Sequence, residues 1–165
     1  DGIRADTSLV INGGTVEVAQ SYEGLESRII IINGGIIHVT SSDDGINVSD
    51  GSGGGMIGGG PMEMVAAGCY LEINGGYLYV DAGGDGLDSN GTGTLNDGIV
   101  IVNGPTNNGN GSLDVGGNLV VNGGFLVAVE HIPEGQSQKI GGARGFDVRA
   151  GDIFTILPGH FENSA

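Results

Sequence analysis

The 165-residue sequence has no tryptophan, one cysteine, four prolines and only five lysine and arginine side chains against 20 aspartates and glutamates. Each shortage excludes something. The lone Cys69 cannot close an internal disulfide, so cysteine usage leaves the redox compartment open. A net charge of −15 cannot track a phosphate backbone, which removes nucleic acid and anionic membranes as partners and leaves cations as the natural counterpart. No apolar run reaches the roughly 18 residues of a membrane span, and no signal-peptide core follows Asp1, so the first residue reads as a processed or trimmed end. What is abundant is glycine, at 36 positions. Without a Gly-X-Y period this is not collagen, and the valines and isoleucines between the glycines are too many for a disordered tract. A folded, mostly β chain remains.

A repeat organises it. The phrase apolar-Asn-Gly recurs at Asn12, Asn33, Asn74, Asn103 and Asn122, spaced 21, 41, 29 and 19 residues apart. A second phrase, acidic-Gly-apolar, recurs at Asp1, Glu23, Asp44 and Asp85, with an echo at Asp114. From Asn12 onward each acid lies 11 residues after its asparagine. A constant offset inside a variable total places insertions in the other half of the repeat, about 50–68 and about 90–98, and gives a repeat of about 21 residues.

Within a repeat, apolar residues alternate with period two, as half-buried strands require. One inward row takes Leu9, Ile11, Ile30, Ile32, Leu71, Ile73, Val100, Val102, Leu119 and Val121. A second takes Val16, Val18, Ile37, Val39, Leu78, Val80, Leu126 and Ala128, and a third Ile3, Leu25, Ile46, Leu87 and Val115. Three strands per repeat and no helical period predict an all-β solenoid over 1–129, a right-handed, single-stranded parallel β-helix of triangular section. The competing fold is an antiparallel sandwich with Asn-Gly hairpins, which would not explain the fixed offset. Residues 130–165 read as a closing or strand-donating segment with a possible strand at 152–157.

The stretches Ser21-Tyr22-Glu23-Gly24-Leu25-Glu26-Ser27, Ile32-Asn33-Gly34-Gly35 and Ser41-Ser42-Asp43-Asp44-Gly45-Ile46-Asn47 resemble a family of secreted, calcium-loaded parallel β-helices known as carbohydrate-binding domain proteins. Members bind cellulose or acidic sugars and are similar in fold to family 9 polysaccharide lyases. The resemblance spans Asp1 to Val129. It implies an extracellular or cell-surface location, bound Ca²⁺, and acidic polysaccharide or cellulose as partner. Family members usually carry further repeats before the position of Asp1 and more chain after the position of Ala165.

Stacked repeats bring equivalent residues to about 4.8 Å. Glu23, Asp44 and Asp85 would then form a carboxylate ladder, with Glu26, Asn47 and Asp88 three positions on and Asp43 alongside. Like charges at that spacing repel by about 1 kcal/mol in water and more near a protein surface, so such a ladder calls for a cation. Oxygen donors without His or Cys suit Ca²⁺. The plainer alternative is a solvated acidic corner held in Asx turns. Asn12, Asn33, Asn74, Asn103 and Asn122 are expected to form a structural amide ladder.

Outward positions supply two surfaces. Val10, Ile31, Ile101 and Val120, with Glu72, form an apolar strip that serves as a contact surface or lies under the closing segment. Tyr77 and Tyr79 face out beside Ile36, His38, Phe125 and Val127, either stacking sugar rings or packing across strands. The glycine-rich stretch 51–60 lacks the Lys and Ser/Thr of a phosphate loop. Lyase chemistry would need a Lys or Arg base; Arg4 and Arg28 fall near the acidic corner, Lys139 outside the repeats, and His38, His131 and His160 form no triad. The expected function is therefore a non-catalytic, calcium-dependent polysaccharide binder. The rivals are a subunit of an extracellular filament, self-associating end to end through open strand edges, and a polysaccharide lyase.

Overall fold

The structure is a computed structural model that describes residues 1–51, 65–106 and 109–129, with the backbone of two further strands, 137–139 and 147–149. Among the described residues all regular structure is β, and 15 strands stack into three five-stranded parallel sheets. Sheet A contains β1 (Ile3–Ala5), β4 (Leu25–Ser27), β7 (Ile46–Val48), β10 (Leu87–Ser89) and β13 (Leu113–Val115). Sheet B contains β2 (Leu9–Ile11), β5 (Ile29–Ile32), β8 (Tyr70–Ile73), β11 (Thr92–Leu95) and β14 (Leu119–Val121). Sheet C contains β3 (Thr15–Ser21), β6 (Ile36–Ser41), β9 (Tyr77–Ala82), β12 (Ile99–Asn103) and β15 (Phe125–Val129). The chain visits the sheets in the order B, C, A and then moves up one rung, so this is a parallel β-helix with three strands per rung.

Alternation places the core. Leu25, Ile30, Ile37, Val39, Ile46, Val48, Val80, Val100 and Val102 have 0% exposure, while Ile36 and Ile99, on the opposite faces of their strands, are 51% and 44% exposed. Full burial of one such aliphatic side chain contributes about 1.5–3 kcal/mol, so the column of Val and Ile inside the triangle carries the fold. The two recurrent phrases mark its corners. In the acidic-Gly phrase the glycine Cα faces the core: a Cβ on Gly45 would overlap Val80 and come within 2.7 Å of the Gly86 carbonyl. Where sheet B turns into sheet C, the second residue after the asparagine is a glycine with φ of 88° (Gly14), 108° (Gly35), 92° (Gly76), 105° (Gly98) and 77° (Gly124). That backbone region disfavours any side chain.

The fourth rung departs from the expected register. Val100 and Val102 pair with Leu78 and Val80 in sheet C rather than with Leu71 and Ile73. The place beside Leu71 and Ile73 belongs to Gly93 and Leu95. The stretch 90–98 is therefore no insertion but contains a strand of the solenoid. The extra residues of this rung lie between Asn103 and Leu113, at the corner leading into sheet A. Leu113, not Val115, is the counterpart of Leu87, and Asp114 matches Asp88 rather than Asp85. The larger expected insertion, about 50–68, falls between β7 and β8, and its residues 52–64 lie outside the described residues. Of the segment 130–165 only Ser137–Lys139 and Asp147–Arg149 are described, paired antiparallel. The expected strand at 152–157 lies outside the described residues.

Candidate functional site

Sheet A and the corner before it carry the acidic residues. Register aligns Arg4, Glu26, Asn47, Asp88 and Asp114 along the outward face of the sheet. Backbone bonds Gly2 N–H to Glu23 C=O, Gly24 N–H to Asp44 C=O and Gly45 N–H to Asp85 C=O stack the corner residues Asp1, Glu23, Asp44 and Asp85 in a second column. The two columns form an acidic trough along the solenoid. Its geometry differs in part from a simple ladder of carboxylates. Among the described residues the three carboxylates whose oxygens lie within 4.8 Å of one another are Asp1, Glu23 and Glu26, not Glu23, Asp44 and Asp85. Asp44 Oδ1 instead accepts the Asp85 N–H at 2.8 Å, and Asp85 Oδ1 accepts the Gly111 N–H, so each of these carboxylates also caps the rung above.

The trough is partly dry, and its charges suffer for it. Burial pushes the Asp44 carboxyl up to about 6, against an opposing contribution from its bond to Asp85, with Asp43, Asp85 and Glu23 adding repulsion. Burial pushes Asp88 further, to about 8, and Asp44, Asp114, Asp85 and Glu23 add to it. Both are cases of desolvation disfavouring the charged form. Asn47 donates Nδ2–H to Glu23 Oε2 at 2.7 Å, while its Oδ1 is buried with no donor in reach. A lone acceptor amid acceptors is a costly arrangement unless a proton or a cation fills it. Gly84 supplies close approach: a Cβ there would lie 2.6 Å from both Asp43 Oδ1 and Asp44 Oδ1. This donor set, carboxylates plus one amide oxygen, fits a hard divalent ion such as Ca²⁺. Tyr22, exposed at the rim, has its phenol raised by a hydrogen bond to Asp43.

The amide ladder exists with one different member. Asn33 Nδ2 donates to Asn12 Oδ1 (2.8 Å), Asn74 to Asn33 (2.9 Å), Asn96 to Asn74 (2.7 Å) and Asn122 to Asn96 (2.7 Å). Asn103 is not part of it and donates to Asp81 Oδ1 at 2.7 Å. One feature of the sequence separates the two asparagines. Every ladder member has glycine two residues later, including Asn96 with Gly98, whereas Asn103 has Pro105 there.

The tyrosines lie where the alternation put them, outward on sheet C and half-buried. Their neighbours form two columns: Ile36, Tyr77, Ile99 and Phe125, and His38, Tyr79, Ile101 and Val127. His38 stands edge-on to both tyrosine rings, at 5.8 and 6.0 Å between centroids, and pairs with Glu17 at 3.4 Å. Ile101 thus belongs to this aromatic face. The strip on sheet B consists of Val10, Ile31, Glu72, Thr94 and Val120, with Thr94 where Ile101 was expected. Arg28 donates to the Ala67 carbonyl at 3.0 Å, at the foot of the insertion, instead of serving the acidic trough. No helix among the described residues is long and apolar enough to cross a membrane.

No protein-family model, no curated protein and no solved structure matches the chain. The family resemblance therefore rests on the quoted stretches around Glu23, Asn33 and Asp44 alone.

Proposed function

We propose that this β-helix is a secreted, calcium-loaded module that binds acidic or cellulosic polysaccharide without cleaving it. The observation that carries the reading is Asp88. Its carboxyl is lodged where burial and four neighbouring carboxylates, Asp44, Asp114, Asp85 and Glu23, all resist its charge. At neutral pH such a group keeps a proton or takes a metal ion, and the buried Asn47 Oδ1, which has no donor in reach, adds an oxygen that a metal ion could use. The residues that would hold Ca²⁺ are Glu23, Glu26, Asp43, Asp44, Asn47, Asp85 and Asp88. Bound calcium would neutralise the trough and offer uronate carboxylates a bridge that a chain of net charge −15 otherwise lacks. The outward face around Tyr77 and Tyr79 supplies apolar area for sugar rings. The non-catalytic reading is supported by the basic groups near these surfaces, each already engaged: Arg4 with Asp1 and Glu26, Arg28 with Ala67 and His38 with Glu17.

Retention on immobilised polygalacturonate and on cellulose, with calcium and with excess chelator, tests the reading. Calcium-dependent retention on polygalacturonate is expected. Retention that persists equally in chelator refutes the bridge and leaves tyrosine stacking as the better account.

A further inference from the structure

The aromatic rings on the outward face of sheet C are laid out along a strand rather than along the solenoid axis. Tyr77 and Tyr79 are alternate residues of β9, about 6.6 Å apart, and the next outward residue of that strand is Asp81. Along the axis Tyr77 is flanked by Ile36 and Ile99, and Tyr79 by His38 and Ile101. His38 stands edge-on to both phenol rings at nearly equal centroid distances, 5.8 and 6.0 Å, with interplanar angles of 68° and 73°. Its Nδ1 lies 3.4 Å from Glu17 Oε2, so one tethered imidazole braces both rings. Beyond them Asp81 Oδ1 accepts the Asn103 Nδ2–H at 2.7 Å, which sets a carboxylate–amide pair at the end of the row. Four residues further on, past Gly83 and Gly84, the same rung reaches Asp85 in the acidic trough.

We propose that β9 is the track of an acidic polysaccharide that crosses the solenoid, with its rings on Tyr77 and Tyr79, its hydroxyls at the Asp81–Asn103 pair and a uronate carboxylate at the trough, His38 being the residue that positions the two tyrosines. The inference rests on the polysaccharide reading above and adds the direction in which the polymer lies. A polymer laid along the axis follows either a column of mainly aliphatic side chains on sheet C or the carboxylates of the trough, never both. The crossing path joins them. Tyr79 and Asp85 are six residues apart, at most about 20 Å of chain, so a short oligosaccharide reaches from the rings to the trough whereas one or two sugars do not. Rings already braced by His38 lose little freedom when a sugar stacks on them, which favours binding.

Calorimetric titration of the purified 165-residue chain with digalacturonate and hexagalacturonate in millimolar CaCl₂ tests this. The wild type is compared with the double variant Tyr77→Ile/Tyr79→Ile, with Phe125→Leu, and with His38→Ala and His38→Phe. Isoleucine already occupies these columns at Ile36, Ile99 and Ile101, so the double variant keeps the sheet. The wild type is expected to bind the hexamer more tightly than the dimer, and the double variant to lose about tenfold in affinity for the hexamer, and with it most of that advantage. Phe125→Leu, two rungs along the axis from Tyr77, should bind as the wild type does. His38→Ala should weaken the hexamer and alter the tyrosine near-ultraviolet circular dichroism, while His38→Phe, which keeps an edge-on ring, restores both. A loss in Phe125→Leu as large as that in the tyrosine variant turns the polymer along the axis and overturns the crossing path. Calcium-dependent binding of the hexamer that ignores the tyrosine variant also overturns the path and leaves the calcium bridge standing. Wild-type affinity in His38→Ala overturns the brace. No binding of either oligomer by the wild type overturns the path and the polysaccharide reading together.

Discussion

Asp88 ties the stability of the metal-free protein to pH in a direction opposite to that of most acidic groups. An unfolded aspartate loses its proton near 3.9, whereas in the fold Asp88 keeps it up to about 8. Between these values the folded state binds more protons than the unfolded one, so stability falls as pH rises through the window and the penalty is complete above about 8. At 1.36 kcal/mol per unit the full span is worth about 6 kcal/mol. Because the proton is shared among the carboxylates of the trough and some water reaches them, about 3 kcal/mol is a realistic share. For a chain of this length that corresponds to roughly 6–12 °C in Tm. Thermal melts in chelator at pH 5, 6, 7 and 8 should show Tm falling steadily. With millimolar calcium the trend should flatten or reverse, because metal replaces the proton and its affinity rises with pH. Asp88→Asn should raise Tm in chelator at pH 8 and remove most of the slope. A metal-free Tm independent of pH across this range, or an Asp88→Asn variant less stable than wild type at pH 8 in chelator, would refute the reasoning.

Three further outcomes follow from the geometry. Asn74→Ala removes a ladder bond on each side and a bond to Glu72, and should cost about 1–3 kcal/mol by chemical denaturation; Asn103→Ala, which among the described residues loses the bond to Asp81, should cost about 1 kcal/mol or less. Equal costs would contradict the ladder register. Gly45→Ala drives a methyl group into Val80 and the Gly86 carbonyl and should destabilise by several kcal/mol, while Gly34→Ala, whose nearest contact is the Asn12 carbonyl at 3.6 Å, should be nearly neutral; denaturation midpoints distinguish them. Replacing Tyr77 and Tyr79 together by alanine should weaken polysaccharide retention about tenfold or more without changing the calcium stoichiometry, and unaltered retention would remove the aromatic face from the binding account.

The solenoid was legible because its corners are chemically expensive. A glycine that must sit against Val80 and a neighbouring carbonyl cannot drift, and neither can one at φ near 90°, so both leave a fixed phrase in the sequence. The fourth rung was misread because Ile101-Val102-Asn103-Gly104 imitates the phrase while lying in sheet C, and because Thr92-Gly93-Thr94-Leu95 has too little apolar character to announce a strand. Its pairing with Tyr70–Ile73 on one side and Leu119–Val121 on the other supplies what local propensity does not. Spacing along the chain could align the acidic residues of successive rungs, but it could not foresee that Asp44 and Asp85 turn an oxygen toward the backbone of the next rung. Nor could it foresee Arg4 against Glu26, since charge pairing across rungs depends on register rather than on distance in sequence.

The asparagine column also has a sense of direction. In every link the later rung donates and the earlier one accepts, so the amide dipoles point the same way along the axis and add, each of a size comparable to the roughly 3.5 D of a peptide group. Turning one amide over would set nitrogen against nitrogen on one side and oxygen against oxygen on the other, so the column can reverse only as a whole. The column thereby records polarity. A rung that joins it on the Asn122 side must present a donor, and one that meets the Asn12 side must present an acceptor, so a joining asparagine has its amide orientation set by the column it meets.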